Sequence, residues 1–347
     1  MRQWKVRPKH EQPLVLEERI QEDLGAGEVR IRVHAASLNF RDQLLLTGRY
    51  PIGTQAVVPL SDGAGEVIGI GPGVTRVEIG HRVTATTITN WIDGRFDPSM
   101  AAGSIGFARD GWLAEEVVLP ETSLVRIPDA LSYAAAATFP CAGVTAWNAV
   151  VETARIGPSE SILALGTGGV SMFAVQIAKL VGAQALITSS SDVKLERAYA
   201  CGADLGVNYR TYPAWEARVR ELTGGQGVDL VVENAATLRQ SVQATRYGGT
   251  VAVVGMLAVL SPGGPQPNGD LTDFLRFGVT VTPILMGHRR MLTRMVDAFA
   301  RHRIEPVIDR EFSFDDAPAA YDALAAANHV GKIVITTETG RRSPRSR

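Results

Sequence analysis

The run Ile162-Leu163-Ala164-Leu165-Gly166-Thr167-Gly168-Gly169-Val170-Ser171 carries the clearest chemical pattern in this sequence. An apolar strand is followed by a glycine turn, and the turn opens into Val170 to Val181, which reads as a helix stopped by Gly182. Gly166 permits the tight turn, and Gly168 lets the main chain approach a pyrophosphate with no Cβ in the way. The helix start then directs backbone N–H groups at the anion. The pattern points to a dinucleotide held at Gly166, Thr167, Gly168, Gly169 and Val170. Ser171 stands at the third position, where glycine or alanine is expected; serine is small enough to keep helix and strand packed. The next strand ends in Thr188-Ser189-Ser190-Ser191-Asp192-Val193-Lys194. An NAD site places Asp or Glu there, on the ribose 2′-hydroxyl. Here the hydroxyls of Ser189 and Ser190 and the charge of Lys194 suit a 2′-phosphate, with Tyr209 stacking or bonding beside it. The expected cofactor is NADP(H), with NAD(H) second. Asp192 argues against it, because an inward carboxylate would repel the phosphate.

Little else offers metal or thiol chemistry. The only cysteines are Cys141 and Cys201, which excludes a disulfide framework and a four-thiolate zinc site. The six histidines are scattered, with no His-Glu-x-x-His pattern, so a transition-metal centre is not expected. Across 347 residues, 35 Lys+Arg face 36 Asp+Glu, a formal net charge of -1. No basic field exists to hold nucleic acid or an anionic membrane. The longest apolar run, Val251 to Leu260, falls short of the about 20 residues a membrane span needs. The N-terminal MRQWKVRPKHEQ has no apolar run behind it, so no signal peptide is expected. These features describe a cytoplasmic enzyme with a small-molecule substrate and neither nucleic acid nor membrane as partner.

The elements that must position the glycine loop fall into two textures. Glu28 to Val33 alternates polar and apolar residues, as a half-buried strand does. Gly65 to Gly71, Gly80 to Ala85 and Glu115 to Leu119 read as further short strands, separated by turns such as Pro72-Gly73 and Asp93-Gly94. From Arg126-Ile127-Pro128 onward, strands and helices alternate. Ser132 to Val150 reads as helix. Ser161 to Leu165, Gln184 to Thr188, Val228 to Val232, Thr250 to Val254 and Val279 to Leu285 read as strands, with a helix from Lys194 to Cys201. That is the rhythm of a doubly wound parallel sheet. A closing strand follows at Lys332 to Thr336, and the basic tail Arg341 to Arg347 reads as disordered.

Taken together, the chain resembles the medium-chain dehydrogenase/reductase superfamily, in its zinc-free branch of quinone-oxidoreductase-like and zinc-independent alcohol-dehydrogenase-like enzymes. The resemblance covers nearly the whole chain. It rests on Ala36-Ser37-Leu38-Asn39-Phe40-Arg41-Asp42, Pro59-Leu60-Ser61-Asp62-Gly63-Ala64-Gly65-Glu66-Val67, Gly80-His81-Arg82-Val83 and Pro140-Cys141-Ala142-Gly143-Val144-Thr145-Ala146-Trp147. It continues through the glycine loop, Gly202-Ala203-Asp204, Asn208-Tyr209-Arg210, Gly248-Gly249-Thr250, Pro306-Val307-Ile308 and Gly331-Lys332-Ile333-Val334. It implies an α/β chain in which a Rossmann domain, 126–305, is inserted into a GroES-like irregular β-barrel catalytic domain, 1–125 and 306–347, with the active site in the cleft. It implies further cofactor contacts at Thr145, Asn234, Gly255 and Lys332. It also implies a homodimer paired through the strand at 279–285, although Pro283 weakens that pairing.

The departures bear on mechanism. The resemblance implies that zinc-dependent relatives carry a Cys ligand where this chain has Asn39, Gly-His-Glu where it has Leu60-Ser61-Asp62, and a third ligand near Cys141. One possible ligand cannot build a three-ligand catalytic site, so no zinc is expected. Without a Lewis acid, reduction of an activated alkene or a quinone needs less help than plain alcohol oxidation. Gly48-Arg49-Tyr50-Pro51 is similar to the segment carrying the proton-donating tyrosine of zinc-free enoyl reductases, which nominates Tyr50 as acid or oxygen anchor. Asn39 is nominated beside it, to hydrogen-bond the nicotinamide ribose or the substrate oxygen. Tyr50, Trp91 and Phe96 are expected to line the substrate. Arg41 and Asp42 read as a structural ion pair, and Cys141 as a buried thiol. The leading expectation is an NADP(H)-dependent reductase of α,β-unsaturated carbonyls or quinones. The alternatives are an alcohol/carbonyl oxidoreductase of the same fold and an NADPH-binding redox-sensing module.

Overall fold

The structure is a computed structural model that describes residues 1–8, 10–50, 56–255 and 271–337. Pro51, the residues Met256 to Leu260 of the apolar run, and the basic tail lie outside the described residues. The chain forms two compact units, Met1–Val144 with Gly287–Arg347, and Thr145–Met286. These compact units part at 144/145 and 286/287, whereas the resemblance implies domain junctions at 125/126 and 305/306. The reason is packing. The Phe139 ring meets Phe299 edge-on at 5.2 Å, and Gly143 lies under Met295. Residues 126–144 and the helix Arg289–His302 thus join the first unit.

The first unit begins with a hairpin, β1 (Arg2–Val6) and β2 (Leu14–Glu18). Then come β3 (Glu28–Ser37), β4 (Asp62–Ile70), β5 (Arg82–Ala85), β6 (Glu116–Pro120) and β7 (Leu124–Arg126). The alternation in β3 sends Val29, Ile31 and Val33 into the core, with none more than 1% exposed. They pack with Val67, Val83, Trp112, Leu119 and Phe314. The strand pattern expected for this third of the chain is present. It also carries helices the composition did not announce, among them Phe40–Leu46, which opens after Asn39.

The second unit holds β8 (Ser161–Ala164), β9 (Gln184–Ser189), β10 (Leu205–Asn208), β11 (Val228–Glu233), β12 (Thr245–Val253) and β13 (Thr280–Pro283). They form one parallel sheet in the order β10-β9-β8-β11-β12-β13. The order reverses between β8 and β11, and ligands of doubly wound sheets bind outside the strand ends at that switch point. The chain then returns to the first unit as β14 (Ile308–Ser313) and β15 (Lys332–Thr336), so that its larger sheet runs β14-β15-β3-β4-β5-β7, with β6 also on β3. The stretch Ser132 to Val150, read as one helix, is helical but widens into π-type turns at Phe139–Gly143 and Asn148–Thr153. Such turns insert where an ordinary ladder is interrupted.

Candidate active site

In the second unit, the glycine loop leaves β8 at the switch point. Gly166 adopts φ 70°, and its N–H donates to Thr188 Oγ1 at 3.1 Å. Gly168 caps the helix Gly169–Val181, with no side-chain cap on the first-turn N–H groups. A Cβ at either glycine would meet nothing within 4 Å, so both face open space. Ser171 adds a feature that serine's size alone did not announce. Its Oγ donates to Leu165 O at 2.7 Å and accepts from Asn234 Nδ2 at 3.1 Å. It thereby ties the helix to the ends of β8 and β11. Gly255 donates its N–H to Glu233 O at 3.1 Å, and a Cβ there would fall 2.8 Å from Asn234 Cα. The loop residues Gly166 to Val170, Asn234 and Gly255 are therefore assembled around adjacent strand ends.

Ser189 and Ser190 follow at the end of β9. Ser189 is buried; its carbonyl accepts from Tyr209 N–H at 2.9 Å and its hydroxyl from Ser191 N–H at 3.3 Å. Tyr209 is exposed and Lys194 half-buried. Asp192 is held to one side, accepting from Asn208 Nδ2 at 2.9 Å. Thr145 is buried at the start of this unit. These groups suit a nicotinamide dinucleotide: open glycines for the pyrophosphate, helix N–H groups for its charge, and hydroxyls at the end of β9 for the ribose.

The first unit holds a buried polar cluster. Asp62, at the start of β4, is fully buried and accepts from Ser61 Oγ at 2.8 Å and from Cys141 N–H at 3.2 Å. The preceding Leu60 sits at φ 72°, a left-handed backbone that a buried leucine rarely adopts. Lys332, at the start of β15, lies 4.0 Å from Asp62 Oδ2 and donates to Leu38 O and Asn39 Oδ1. An ammonium only donates, so the Asn39 amide is fixed with its oxygen toward Lys332. Asn39 N–H donates to Asp42 Oδ2 at 2.7 Å. Lys332 thus takes part in the buried cluster of the first unit.

Burial dominates the protonation equilibria here. It pushes the Asp62 carboxyl up, against Lys332, Asn39, Ser61 and the Cys141 N–H. It pushes Lys332 down, against Asp62, Cys141 and Asp42. Asp42 is pushed up to about 7 by burial, with Arg41 and the Asn39 N–H pulling the other way. The Cys141 thiol is pushed up to about 12 by burial and by Asp62, so it is no thiolate nucleophile at neutral pH.

Tyr50 occupies a third station. Its ring packs on Phe107 at 4.3 Å, and its Oη accepts from Arg41 Nη2 at 3.3 Å. Arg41 and Asp42, expected to pair, interact through their charges, while Arg41 also donates to Tyr50 and Ser104 and Asp42 accepts from the Asn39 N–H. Trp91 is buried against Phe96 at 5.1 Å and His288 at 5.8 Å. Its loop is fastened to the helix Arg289–His302 by Asp93, which pairs with His288 at 3.2 Å and Arg290 at 2.8 Å. The structure thus groups Asn39 and Lys332, sets Tyr50 close by through Arg41, and places Trp91 and Phe96 in a separately anchored loop. The sequence reading nominated no role for Asp62, Ser104 or Phe107. The available signal was charge inside apolar sequence, as at Ser61-Asp62 between Leu60 and Gly63-Ala64.

The donor set fits zinc poorly. Asn39 Oδ1 is engaged by an ammonium and Ser61 Oγ by a carboxylate, which leaves Cys141 as the one thiol near them. Among the described residues no group of three or more His, Cys, Asp or Glu is arranged to hold a metal. No helix among them is long and apolar enough to cross a membrane.

The two-unit fold and the glycine loop agree with the comparisons. The family model for the alcohol dehydrogenase GroES-like domain matches residues 25–129, and that for zinc-binding dehydrogenase matches 169–301. A zinc-type alcohol dehydrogenase-like protein of Schizosaccharomyces pombe is 36% identical over 323 residues, 91% of this chain and 92% of its own. A solved NAD-dependent alcohol dehydrogenase is 30% identical, with a TM-score of 0.84 over 97% of this chain and 99% of that one. A mycobacterial protein solved with NADPH is 25% identical, with a TM-score of 0.79 over 97% and 99%. The chain belongs to the medium-chain dehydrogenase/reductase superfamily. It is an oxidoreductase of the NAD(P)-dependent kind.

Proposed function

We propose that this enzyme is a zinc-independent, NADPH-dependent reductase of α,β-unsaturated carbonyls or quinones. The observation that carries the reading is the Lys332–Asn39–Asp62 cluster, in which the Lys332 ammonium donates to Asn39 Oδ1 beside the Asp62 carboxylate. The cofactor, when bound, supplies a hydride. The glycine loop and Asn234 orient it. Tyr50 delivers the proton that follows, and Asn39 helps hold the substrate oxygen. An activated alkene already carries a carbonyl to accept the electron pair, so the reaction proceeds without a Lewis acid.

The preference for the phosphorylated cofactor is supported at the end of β9. Asn208 holds the Asp192 carboxylate, and Ser189, Ser190, Lys194 and Tyr209 are the groups proposed to recognise a 2′-phosphate. The mycobacterial neighbour binds NADPH, whereas another neighbour is named NAD-dependent. The relatives' alcohol dehydrogenase names favour a second reading, reversible alcohol/carbonyl oxidoreduction on the same site. We further propose a cytoplasmic homodimer paired through the strand at 279–285, because β13 is an end strand of its sheet.

The test is a panel of enones, quinones, aldehydes and alcohols, followed by absorbance of the reduced cofactor, with elemental analysis of the same sample. Turnover of enones or quinones without stoichiometric zinc is expected. Turnover of secondary alcohols alone, or indispensable zinc, overturns the reading. Lys194→Ala should weaken NADPH binding by about 1–3 kcal/mol more than NADH binding; equal losses would reject the 2′-phosphate role.

A further inference from the structure

We infer that Arg41 is a positioning residue that fixes the Tyr50 phenol for proton delivery. The inference rests on the reading of Tyr50 as the acid. It comes from the way the two side chains are held.

Arg41 is 4% exposed, on the helix Phe40–Leu46. One guanidinium nitrogen, Nη2, donates both to Tyr50 Oη at 3.3 Å and to Ser104 Oγ at 3.1 Å. The guanidinium carbon lies 3.8 Å from the Phe107 ring centre, and the Tyr50 ring packs on the same phenylalanine. The platform is itself built tightly. Ser104 accepts the N–H groups of Ala108 and Arg109, each at 3.0 Å, in a turn through Gly106 at φ 76°. A Cβ on Gly106 would fall 2.8 Å from the Leu60 carbonyl carbon, so only glycine lets this turn press against the strained backbone before Ser61-Asp62. Arg41 is therefore held by a hydrogen bond, a ring face and burial, and cannot swing as an exposed arginine would.

The chemistry follows from donor counting. A guanidinium has no lone pair to offer, so Tyr50 Oη accepts from Arg41 and its own hydrogen is directed to another acceptor. The planar fork fixes which side of the oxygen that is. A cation hydrogen-bonded to the same oxygen also balances the charge left when the proton departs. No lysine reproduces both the fork and the stacking on Phe107.

The test is a double-mutant cycle with a second readout on the phenol. Arg41→Met should lower kcat by about 10–100-fold with KM changed less than about threefold, as misplacing a catalytic group does. In the Tyr50→Phe background the same substitution should cost less than about twofold, because the two act as a unit. Arg41→Lys should recover part of the loss. In protein labelled with fluorotyrosine, the resonance that Tyr50→Phe removes should shift in Arg41→Met while those of the other six tyrosines stay. An equal loss of kcat in both backgrounds overturns the inference, and so does an unmoved Tyr50 resonance. If Tyr50→Phe retains full activity, the acid reading fails, and the resonance alone then decides whether Arg41 positions the phenol.

Discussion

The glycine loop of the second unit and the Asp62 cluster of the first are both polar sites built on strand ends, and they are made by opposite means. The loop is backbone: Gly166 and Gly168 contribute absence of bulk, and Ser171 and Thr188 only brace it. The cluster is side chain: two buried carboxylates, a buried ammonium and the half-buried Cys141 thiol, with Lys332 acting on both carboxylates and on the thiol. A backbone site tolerates changes in its braces, because the main chain is also held by the sheet. A site of buried charges depends on the balance among them, because an ion without its partner has no water to replace it. This contrast can be broken by experiment.

The largest effect is expected at Lys332. Lys332→Met leaves Asp62 buried with the Ser61 hydroxyl, the Cys141 N–H and the field of Arg41, but without the ammonium 4.0 Å away. Breaking a buried pair from one side costs about 3–5 kcal/mol. Urea unfolding should show that loss, and adding Asp62→Asn should restore much of it. A loss below about 1 kcal/mol for Lys332→Met would mean that the cluster is not charge-balanced.

Next comes the pH dependence carried by Asp42. Its folded carboxyl is pushed up to about 7 from an ordinary 3.8, chiefly by burial, and its Oδ1 has no hydrogen-bond partner among the described residues. The folded chain therefore binds this proton more tightly than the unfolded chain. The stability so gained is fully present below the ordinary carboxylate value and is lost as pH rises through about 7. A shift of about three units sets a ceiling of about 4 kcal/mol. Asp42→Asn cannot titrate, so its stability relative to the parent should improve between pH 4 and pH 8. A constant difference across that range would remove Asp42 from the balance.

The same contrast explains what could be read in the sequence. A backbone site leaves its mark locally. The strand, the glycines and the helix start are consecutive, and the demand for small residues at 166 and 168 is visible without the fold. Alternation in Glu28 to Val33 was legible for the same reason. The cluster joins residues far apart, Lys332 and Asn39 lying 293 positions from each other. No periodicity links them, and a lone lysine in Gly331-Lys332-Ile333 reads equally well as a cofactor contact. Arg41 and Asp42 were adjacent and opposite in charge, which suggested a pair. They do feel each other's charge, but the hydrogen bonds to Tyr50 and Ser104 on one side and from the Asn39 N–H on the other left no mark in the sequence. The π-type turns left no mark either, because an alanine-rich helix and a widened one share a composition.

The smallest effect is expected at Ser171, where the loop departs from glycine or alanine. Its hydroxyl bridges Leu165 O and Asn234 Nδ2, so it looks essential by contact alone. If the site is built of backbone, it is a brace. Ser171→Ala removes one hydroxyl from a buried position, and alanine is the ordinary residue at this point of such loops. The expected loss is about 1 kcal/mol of stability, from one neutral hydrogen bond to a carbonyl and one from an amide that can turn to water. Cofactor affinity should change by less than about threefold, since the groups aimed at the pyrophosphate are N–H groups and not this hydroxyl. Calorimetric titration with NADPH and NADH, run beside urea unfolding, separates the two quantities. A tenfold loss of affinity with unchanged stability would make Ser171 part of the binding surface and put side-chain recognition into the loop.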